Sequence, residues 1–478
     1  MIQFLLNREL ISEQDLDPTT TVLEYLRRHR GLTGTREGCG SGDCGACAVV
    51  LAELNGDQLQ YRTINSCLTF MPALQGRQLI SVEHLKQPSG LHPVQQAMVD
   101  CHGSQCGFCT PGFIMSMFAL QKTQTACDLK TTQDALAGNL CRCTGYRPIV
   151  DATEQALSHA DNDQFRQHEP ETIAQLKALQ APQSVELSGP TGQSWNPQTI
   201  DELAQLCQQY PKAKLLAGGT DLALEVTQFH RPLPQLIYLG QVPELQQLSI
   251  RDDFIEIGAA RPLSDCIDTL GHFYPDFGEL LHRFAAQQVR NQGTFGGNIA
   301  NASPIGDSPP LLVALNSQLV LRQGNNTRLL PIGEFFLDYK VTALQAGEFI
   351  QAIRIPLPAP NSEFKAYKIS KRLDDDISAV CMAIQISETD NQTSVRIAFG
   401  GMAAVPKRAT QTEHVLNNNT FNEATLEQAC LALAQDFNPL TDVRASQAYR
   451  VLVAQNLLRK AFIEWQDANL LTRVTDYV

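Results

Sequence analysis

Residues 34–50 read GTREGCGSGDCGACAVV and set Cys39, Cys44 and Cys47 in a C-x4-C-x2-C spacing, with Cys67 downstream in INSCLTF. Thiols spaced this way let a short loop wrap a compact inorganic core, and the spacing is that of plant-type 2Fe–2S loops. Gly38, Gly40, Gly42 and Gly45 supply the positive φ and close backbone approach that such a loop needs. Main-chain N–H groups there can hydrogen-bond sulfur and help set a potential. Zinc is the poorer fit, since paired C-x2-C knuckles suit its tetrahedron better. A Rieske site needs two histidines, and none is placed for it. Gly40-Ser41-Gly42-Asp43-Cys44-Gly45 also satisfies G-x-G-x-x-G. No helical pattern opens there and thiolates would face a pyrophosphate, so a dinucleotide-binding turn is rejected.

A second thiol set lies further on. GSQCGFCTPGFIMSMFAL (103–120) places Cys106 and Cys109 just before a long apolar run that reads as a buried helix, with Pro111 in its first turn. GNLCRCTGYRPI (138–149) places Cys141 and Cys143 after a second helical pattern, TTQDALAGNL. An unstrained disulfide does not form easily between cysteines one residue apart. If the helix ends meet, four thiolates converge, with helix N-termini helping to carry their charge. A structural zinc site is the alternative for this set, because C-x2-C is its usual knuckle. Cys101 and Cys127 each lack a second cysteine at ligand spacing.

The bulk properties narrow the class. Ten of the fourteen cysteines fall between Cys39 and Cys143, and Cys207, Cys266, Cys381 and Cys430 are scattered singly, as small buried hydrophobes. The start, MIQFLLNREL, turns polar too soon for a secretory signal, and RRHR (27–30) sits in a helical pattern rather than ahead of an apolar stretch. A reducing, cytoplasmic setting is expected, where clustered thiols read as metal ligands. The net charge of −13 argues against nucleic acid and anionic membrane, and no apolar run is long enough to span a bilayer.

The 478 residues suggest about three domains on length alone. A polar stretch near 159–182 reads as a linker. Beyond it helices alternate with β-rich runs. Thr199-x-x-Glu202 is a capping box, and the strand-like AKLLAGG (213–219) follows. Gly218-Gly219-Thr220-Asp221 comes directly after that run, and QQVRNQGTFGGNIANASPIGDSPP (287–310) supplies further glycines with Thr294, Asn298, Asn301, Ser303 and Asp307. Paired glycines that expose successive N–H groups suit a pyrophosphate, although such turns also occur in loops that bind nothing. Strands VCMAIQIS and TSVRIAFGG and two helical segments close the chain.

Together, the two cysteine motifs and GNLCRCTGYRPI closely resemble the iron–sulfur region of the molybdenum hydroxylases, the xanthine dehydrogenase and aldehyde oxidase group. The later stretches resemble the flavin part of the same family. The resemblance implies an α+β multidomain chain. Residues 1–80 would form a β-grasp, ferredoxin-like 2Fe–2S domain and 81–158 a four-helix 2Fe–2S domain. After the linker at 159–182, it implies a vanillyl-alcohol-oxidase-type FAD-binding domain over 183–360. A domain like the C-terminal part of the carbon monoxide dehydrogenase flavoprotein would cover 361–478.

By that resemblance Cys39, Cys44, Cys47 and Cys67 hold one cluster, and Cys106, Cys109, Cys141 and Cys143 hold the other. Gln105 matches a glutamine that touches the pterin, and Ser41 stands where many relatives have glutamate. Leu215, Leu216, Ala217, Gly218, Gly219, Thr220, Asp221 and Leu222 would wrap FAD, flanked by Thr294, Gly297, Asn298 and Asp307. Phe284 would lie beside the isoalloxazine, Lys368 would touch the flavin, and the acidic loop Asp374–Asp376 would lie over the ring. No acid–base or nucleophilic residue is nominated.

The resemblance further implies an electron-transfer subunit of a split, xanthine dehydrogenase-type enzyme that oxidises hypoxanthine and xanthine to urate. Molybdopterin would sit in a large partner subunit, in a heterotetramer of two small and two large subunits, with NAD⁺ as acceptor. The alternatives are a related small subunit serving an aldehyde or another N-heterocycle, and a non-catalytic zinc and flavin scaffold.

Overall fold

A computed structural model describes residues 1–473 apart from 88–89, 125, 159–162, 181–183, 390–391, 421 and 468. The ends of the expected linker, 159–162 and 181–182, and the expected domain start at 183 lie outside the described residues. The chain divides into two compact units. One is Met1–Leu245 with Ala285–Thr294, and the other is Gln246–Phe284 with Phe295–Val478. The stretch 183–360, read from sequence as one domain, is shared between them.

The first unit begins with a five-stranded mixed sheet in the order Glu9–Glu13, Ile2–Leu6, Gln78–Ile80, Ala48–Asn55, Gln58–Asn65. Only Ile2–Leu6 and Gln78–Ile80 run parallel. Period-two alternation gives this sheet two buried faces. Val49 and Leu51 join Ile2, Phe4, Val22, Tyr25 and Leu26 on one side. Ala48, Val50 and Ala52 face Phe113, Met117 and Phe118 on the other.

Those aromatic residues lie on the helix Thr110–Thr123, buried throughout from Gly112 to Gln121, as a helix apolar all round must be. Pro93–Asp100, Leu129–Leu136 and Arg147–Leu157 complete a four-helix group. The stretch read as a linker is anchored rather than a bare surface crossing. Phe165 packs on Phe118 at 4.7 Å between ring centroids, and Leu176 of the helix Glu169–Ala178 is buried. Its polar composition concealed these two apolar anchors.

A four-stranded sheet, in the order Val185–Ser188, Gln193–Asn196, Gln235–Tyr238, Lys214–Leu216, completes this unit. The helix Ile200–Gln209 starts at Thr199, whose hydroxyl accepts from Glu202 N at 3.2 Å. Leu216, Leu236 and Tyr238 pack into one apolar cluster with Cys47, Cys67, Leu68 and Phe70. The first thiol loop is thus cast into the core beside the strand that leads to Gly218.

The second unit carries an all-antiparallel sheet ordered Leu248–Ile250, Phe254–Gly258, Phe349–Pro356, Gln318–Gln323, Asn326–Pro331. A second antiparallel sheet, Ser362–Ile369, Val380–Thr389, Gln392–Gly400 and Lys407–Arg408, follows. Ile384, Ile397 and Phe399 on it pack against Leu426, Leu433, Leu458 and Phe462 from the helices Glu423–Asp436 and Gln447–Gln466.

Candidate functional site

In the first thiol loop Cys47 and Cys67 are buried with their sulfurs 3.3 Å apart, and Cys39 and Cys44 lie within hydrogen-bonding reach of each other. The amides of Ser41 and Asp43 point at Cys39 Sγ from 3.4 and 3.3 Å. The Cys44 thiol, the Ser41 side chain and these amides, working against burial, hold the Cys39 thiol down at about 4. The Ser41 hydroxyl also donates to Asp43 Oδ2 at 2.5 Å. Gly40, Gly42 and Gly45 take φ of +65°, +85° and +65°, which L side chains rarely adopt. Gly38 does not, contrary to expectation. Its missing side chain makes room for Cys44 Sγ, which a Cβ would meet at 2.8 Å.

The second set gathers at helix ends. Cys109 is the N-cap residue of Thr110–Thr123, and Cys141 and Cys143 lie in the loop that leads to Arg147–Leu157. Cys109 lies within reach of Cys141, and Cys106 within reach of Cys143. Burial, with Cys141 beside it, pushes the Cys109 thiol up to about 12. Thr144 Oγ1 donates to Cys141 Sγ at 3.1 Å, and Cys141 N donates to the Tyr146 hydroxyl at 3.0 Å. Cys106, Cys143 and Gln105 are exposed. Cys101 and Cys127 hydrogen-bond Gln155 and Thr132 instead of thiols. Cys207, Cys266, Cys381 and Cys430 are buried.

The eight thiols therefore meet two by two. Among the described residues no three Cys, His, Asp or Glu side chains converge as a chelate for a single ion. Tetrahedral zinc asks for four donors around one centre, whereas a 2Fe–2S rhomb asks for two cysteines on each of two irons. The donor sets fit the binuclear cluster. The two loops also touch, since Leu140 N donates to Cys44 O at 3.0 Å.

The residues assigned to FAD fall in both units. In the first unit Leu215–Leu222 begins on the strand Lys214–Leu216 and turns at Gly219, at φ +77°. A Cβ on Gly218 would lie 1.9 Å from Gln292 O, so the Gly218 turn and the segment leading to Thr294 are in backbone contact. Among the described residues no main-chain acceptor takes the amides of Gly218, Gly219 or Thr220, as an anion cradle requires.

In the second unit Gly297 and Asn298 lie on the short helix Phe295–Ala300, and Ser308 Oγ donates to Asn298 Oδ1 at 2.6 Å. Phe284 is half-buried against the core of this unit. Lys368 Nζ forms a buried ion pair with Asp307 at 2.6 Å, and Ser378 Oγ donates to the other Asp307 oxygen at 2.5 Å. Sequence reasoning named Lys368 and Asp307 separately and missed Ser378, for which no local pattern exists. The acidic loop is held by its own backbone, with Arg372 N and Ile377 N both donating to Asp376 at 2.9 Å.

Residues 6–72 match the 2Fe-2S iron-sulfur cluster binding domain, and residues 81–154 match a [2Fe-2S] binding domain. Residues 190–358 match the FAD binding domain in molybdopterin dehydrogenase, and 365–465 the CO dehydrogenase flavoprotein C-terminal domain. The xanthine dehydrogenase of Emericella nidulans is 34% identical over 91% of this chain and 36% of its own length. The xanthine dehydrogenase/oxidase of Mus musculus is 32% identical over 92% of this chain and 37% of its own. The chain thus spans little more than a third of these relatives. Among solved structures, a carbon monoxide dehydrogenase from Hydrogenophaga pseudoflava lacking the Mo-pyranopterin moiety superposes with a TM-score of 0.54 at 27% identity. It covers 57% of this chain and 96% of that one. With two 2Fe–2S domains, an FAD-binding domain and a flavoprotein C-terminal domain in one order, the chain carries the iron–sulfur and flavin portion of the molybdenum hydroxylase family.

Proposed function

We propose that this chain is the electron-carrying subunit of a xanthine dehydrogenase, working beside a molybdopterin-binding partner and handing electrons to NAD⁺. The observation that carries the reading is the pairing of eight thiols in two loops joined by the Leu140 N to Cys44 O hydrogen bond. When bound, the clusters relay single electrons, and FAD gathers two for delivery as hydride. Cys106, Cys109, Cys141 and Cys143 would hold the cluster nearer the partner. Cys39, Cys44, Cys47 and Cys67 would hold the one on the flavin side. Ser41 and Asp43 amides would stabilise the charge on Cys39 sulfur. Leu215–Leu222, Phe284, Thr294, Gly297, Asn298, Asp307 and Lys368 would hold FAD, with the Gly218–Thr220 amides taking the pyrophosphate.

A docking face for the partner is supported by exposure around the second set, where Phe108, Leu140 and Tyr146 remain 44%, 40% and 41% accessible beside Cys106 and Cys143. The relatives named xanthine dehydrogenase support a purine substrate, hypoxanthine or xanthine going to urate. A cytoplasmic site of action is proposed on the clustered thiols, which read as metal ligands in a reducing compartment. No helix among the described residues is long and apolar enough to cross a membrane.

Metal and flavin analysis of the purified chain tests the cofactor reading, with about four iron and one FAD per chain expected. Two iron with one zinc would overturn it. NADH-driven dye reduction by the isolated chain tests the acceptor, and its failure with flavin in place would count against NAD⁺. Assaying the complex with a co-purifying large subunit against xanthine, an aldehyde and a second N-heterocycle decides the substrate.

A further inference from the structure

The two cysteine loops meet through more than one main-chain hydrogen bond. Asn139, two residues before Cys141, is 1% exposed, and its Nδ2 donates to Gly45 O at 3.0 Å, one residue after Cys44. Its Oδ1 accepts from Ser116 Oγ at 2.7 Å, on the helix that follows Cys109, and from Gln288 Nε2 at 3.0 Å. Gln288 Nε2 also reaches Ser116 Oγ at 3.2 Å. Ser116 and Gln288 are themselves 1% and 0% exposed.

Three glycines clear the space around this node. A Cβ on Gly45 would lie 2.3 Å from Gly138 O, one on Gly112 would lie 2.2 Å from Gly45 O, and one on Gly138 would lie 2.0 Å from Gln288 Oε1. Both polar atoms of the Asn139 amide are thus partnered in a space closed to water, while Gln288 Oε1 has no hydrogen-bond partner among the described residues. The hold on Asn139 therefore comes from Gln288 Nε2 and Ser116 Oγ.

Gln288 belongs to the segment that leads into the flavin stretch, and its neighbours repeat the pattern at the first thiol loop. Asn291 Nδ2 donates to Thr63 O at 2.9 Å. Gln292 Oε1 accepts from Asn65 N at 3.1 Å and its Nε2 donates to Thr69 Oγ1 at 2.6 Å, on either side of Cys67. The segment 285–294 therefore packs as part of the iron–sulfur unit, although the sequence assigns it to the flavin domain.

We propose that Asn139, gripped by Ser116 and Gln288, is a positioning residue that fixes the separation and mutual orientation of the two cysteine loops. It touches no thiol and acts through the main chain of Gly45 and through its own neighbours Leu140 and Cys141. This rests on the reading of both loops as 2Fe–2S sites.

The test uses the purified full chain, reduced with dithionite, as wild type, Asn139→Ala and Gln288→Met. Iron per chain is measured alongside the low-temperature EPR splitting that arises when two reduced clusters couple magnetically. The expected result is full iron in both variants, with the wild-type splitting lost or altered while each cluster keeps its own signal. Full iron with an unchanged splitting in either variant overturns the proposal. Loss of the clusters from both variants also overturns it, because the node would then serve cluster retention rather than spacing. A wild-type chain with fewer than two clusters would instead defeat the underlying reading, before any variant is compared.

Discussion

Replacing Gly45 by alanine separates close packing from backbone strain in the first thiol loop. Gly45 takes φ +65°, and its added Cβ would meet Gly138 O at 2.3 Å, Asn139 Nδ2 at 2.5 Å and Asn139 Cα at 2.9 Å. Holding an L residue in the left-handed region costs about 1–2 kcal/mol. Forcing a methyl into a filled space, with main-chain atoms that cannot swing aside, costs typically about 1–3 kcal/mol more. The substitution should therefore remove roughly 2–5 kcal/mol, a large part of the roughly 5–15 kcal/mol that holds a domain folded.

Two neighbouring glycines dissect that sum. Gly40→Ala carries the same backbone term at φ +65°, but its Cβ meets only the ends of the Gln228 and Glu37 side chains, at 3.0 and 3.2 Å. It should cost about 1–2 kcal/mol. Gly112→Ala sits in a helix and carries only the packing term, against Gly45 O at 2.2 Å, for about 1–3 kcal/mol. Urea unfolding followed by bleaching of the visible iron–sulfur absorbance reports on this region rather than on the chain's other domains. With a slope of about 2 kcal/mol per molar, Gly45→Ala should lower the midpoint by roughly 1–2.5 M. If Gly45→Ala proves no worse than Gly40→Ala, the contact between the thiol loops does not constrain the fold as argued.

Asp163 is buried, accepts from His92 Nε2 at 2.9 Å and pairs with the Lys122 ammonium. Burial pushes its carboxyl up, but the His92 hydrogen bond and Lys122 outweigh that and leave it well below the usual range. Its stabilising contribution is therefore complete above the unfolded carboxylate value of about 3.9 and is lost as pH falls below it. Asp163→Asn should flatten stability against pH below pH 4, measured by urea midpoints, and an unchanged slope would remove Asp163 as the cause. Lys368→Met leaves Asp307 buried without its cation and should cost about 3–5 kcal/mol, with loss of FAD from the purified protein. Retention of both wild-type stability and flavin would count against that pair.

The two cysteine motifs were legible because ligand spacing is a local property: C-x4-C-x2-C, C-x2-C and C-x-C each lie within a few residues of chain. The helix behind Cys109 was legible for the same reason, since its unbroken apolar run left no solvent face. The pairing of thiols was not, because Cys47 reaches Cys67 and Cys109 reaches Cys141 only after sheet and helices have closed. Polar composition likewise hid the anchoring of the linker by Phe165 and Leu176.

Sequence by itself thus determined the cluster type of the first thiol loop, through a short motif whose chemistry needs nothing beyond neighbouring residues. The second cluster, FAD and the domain order came from the resemblance to the molybdenum hydroxylases. Tertiary structure alone decided that Lys368 neutralises Asp307 across 61 positions and that Gln288 reaches Asn139 across 149. Such contacts leave no periodicity or spacing in the chain. They exist because burying an amide or an ammonium costs several kcal/mol unless a partner is waiting, and only the folded core brings that partner into reach.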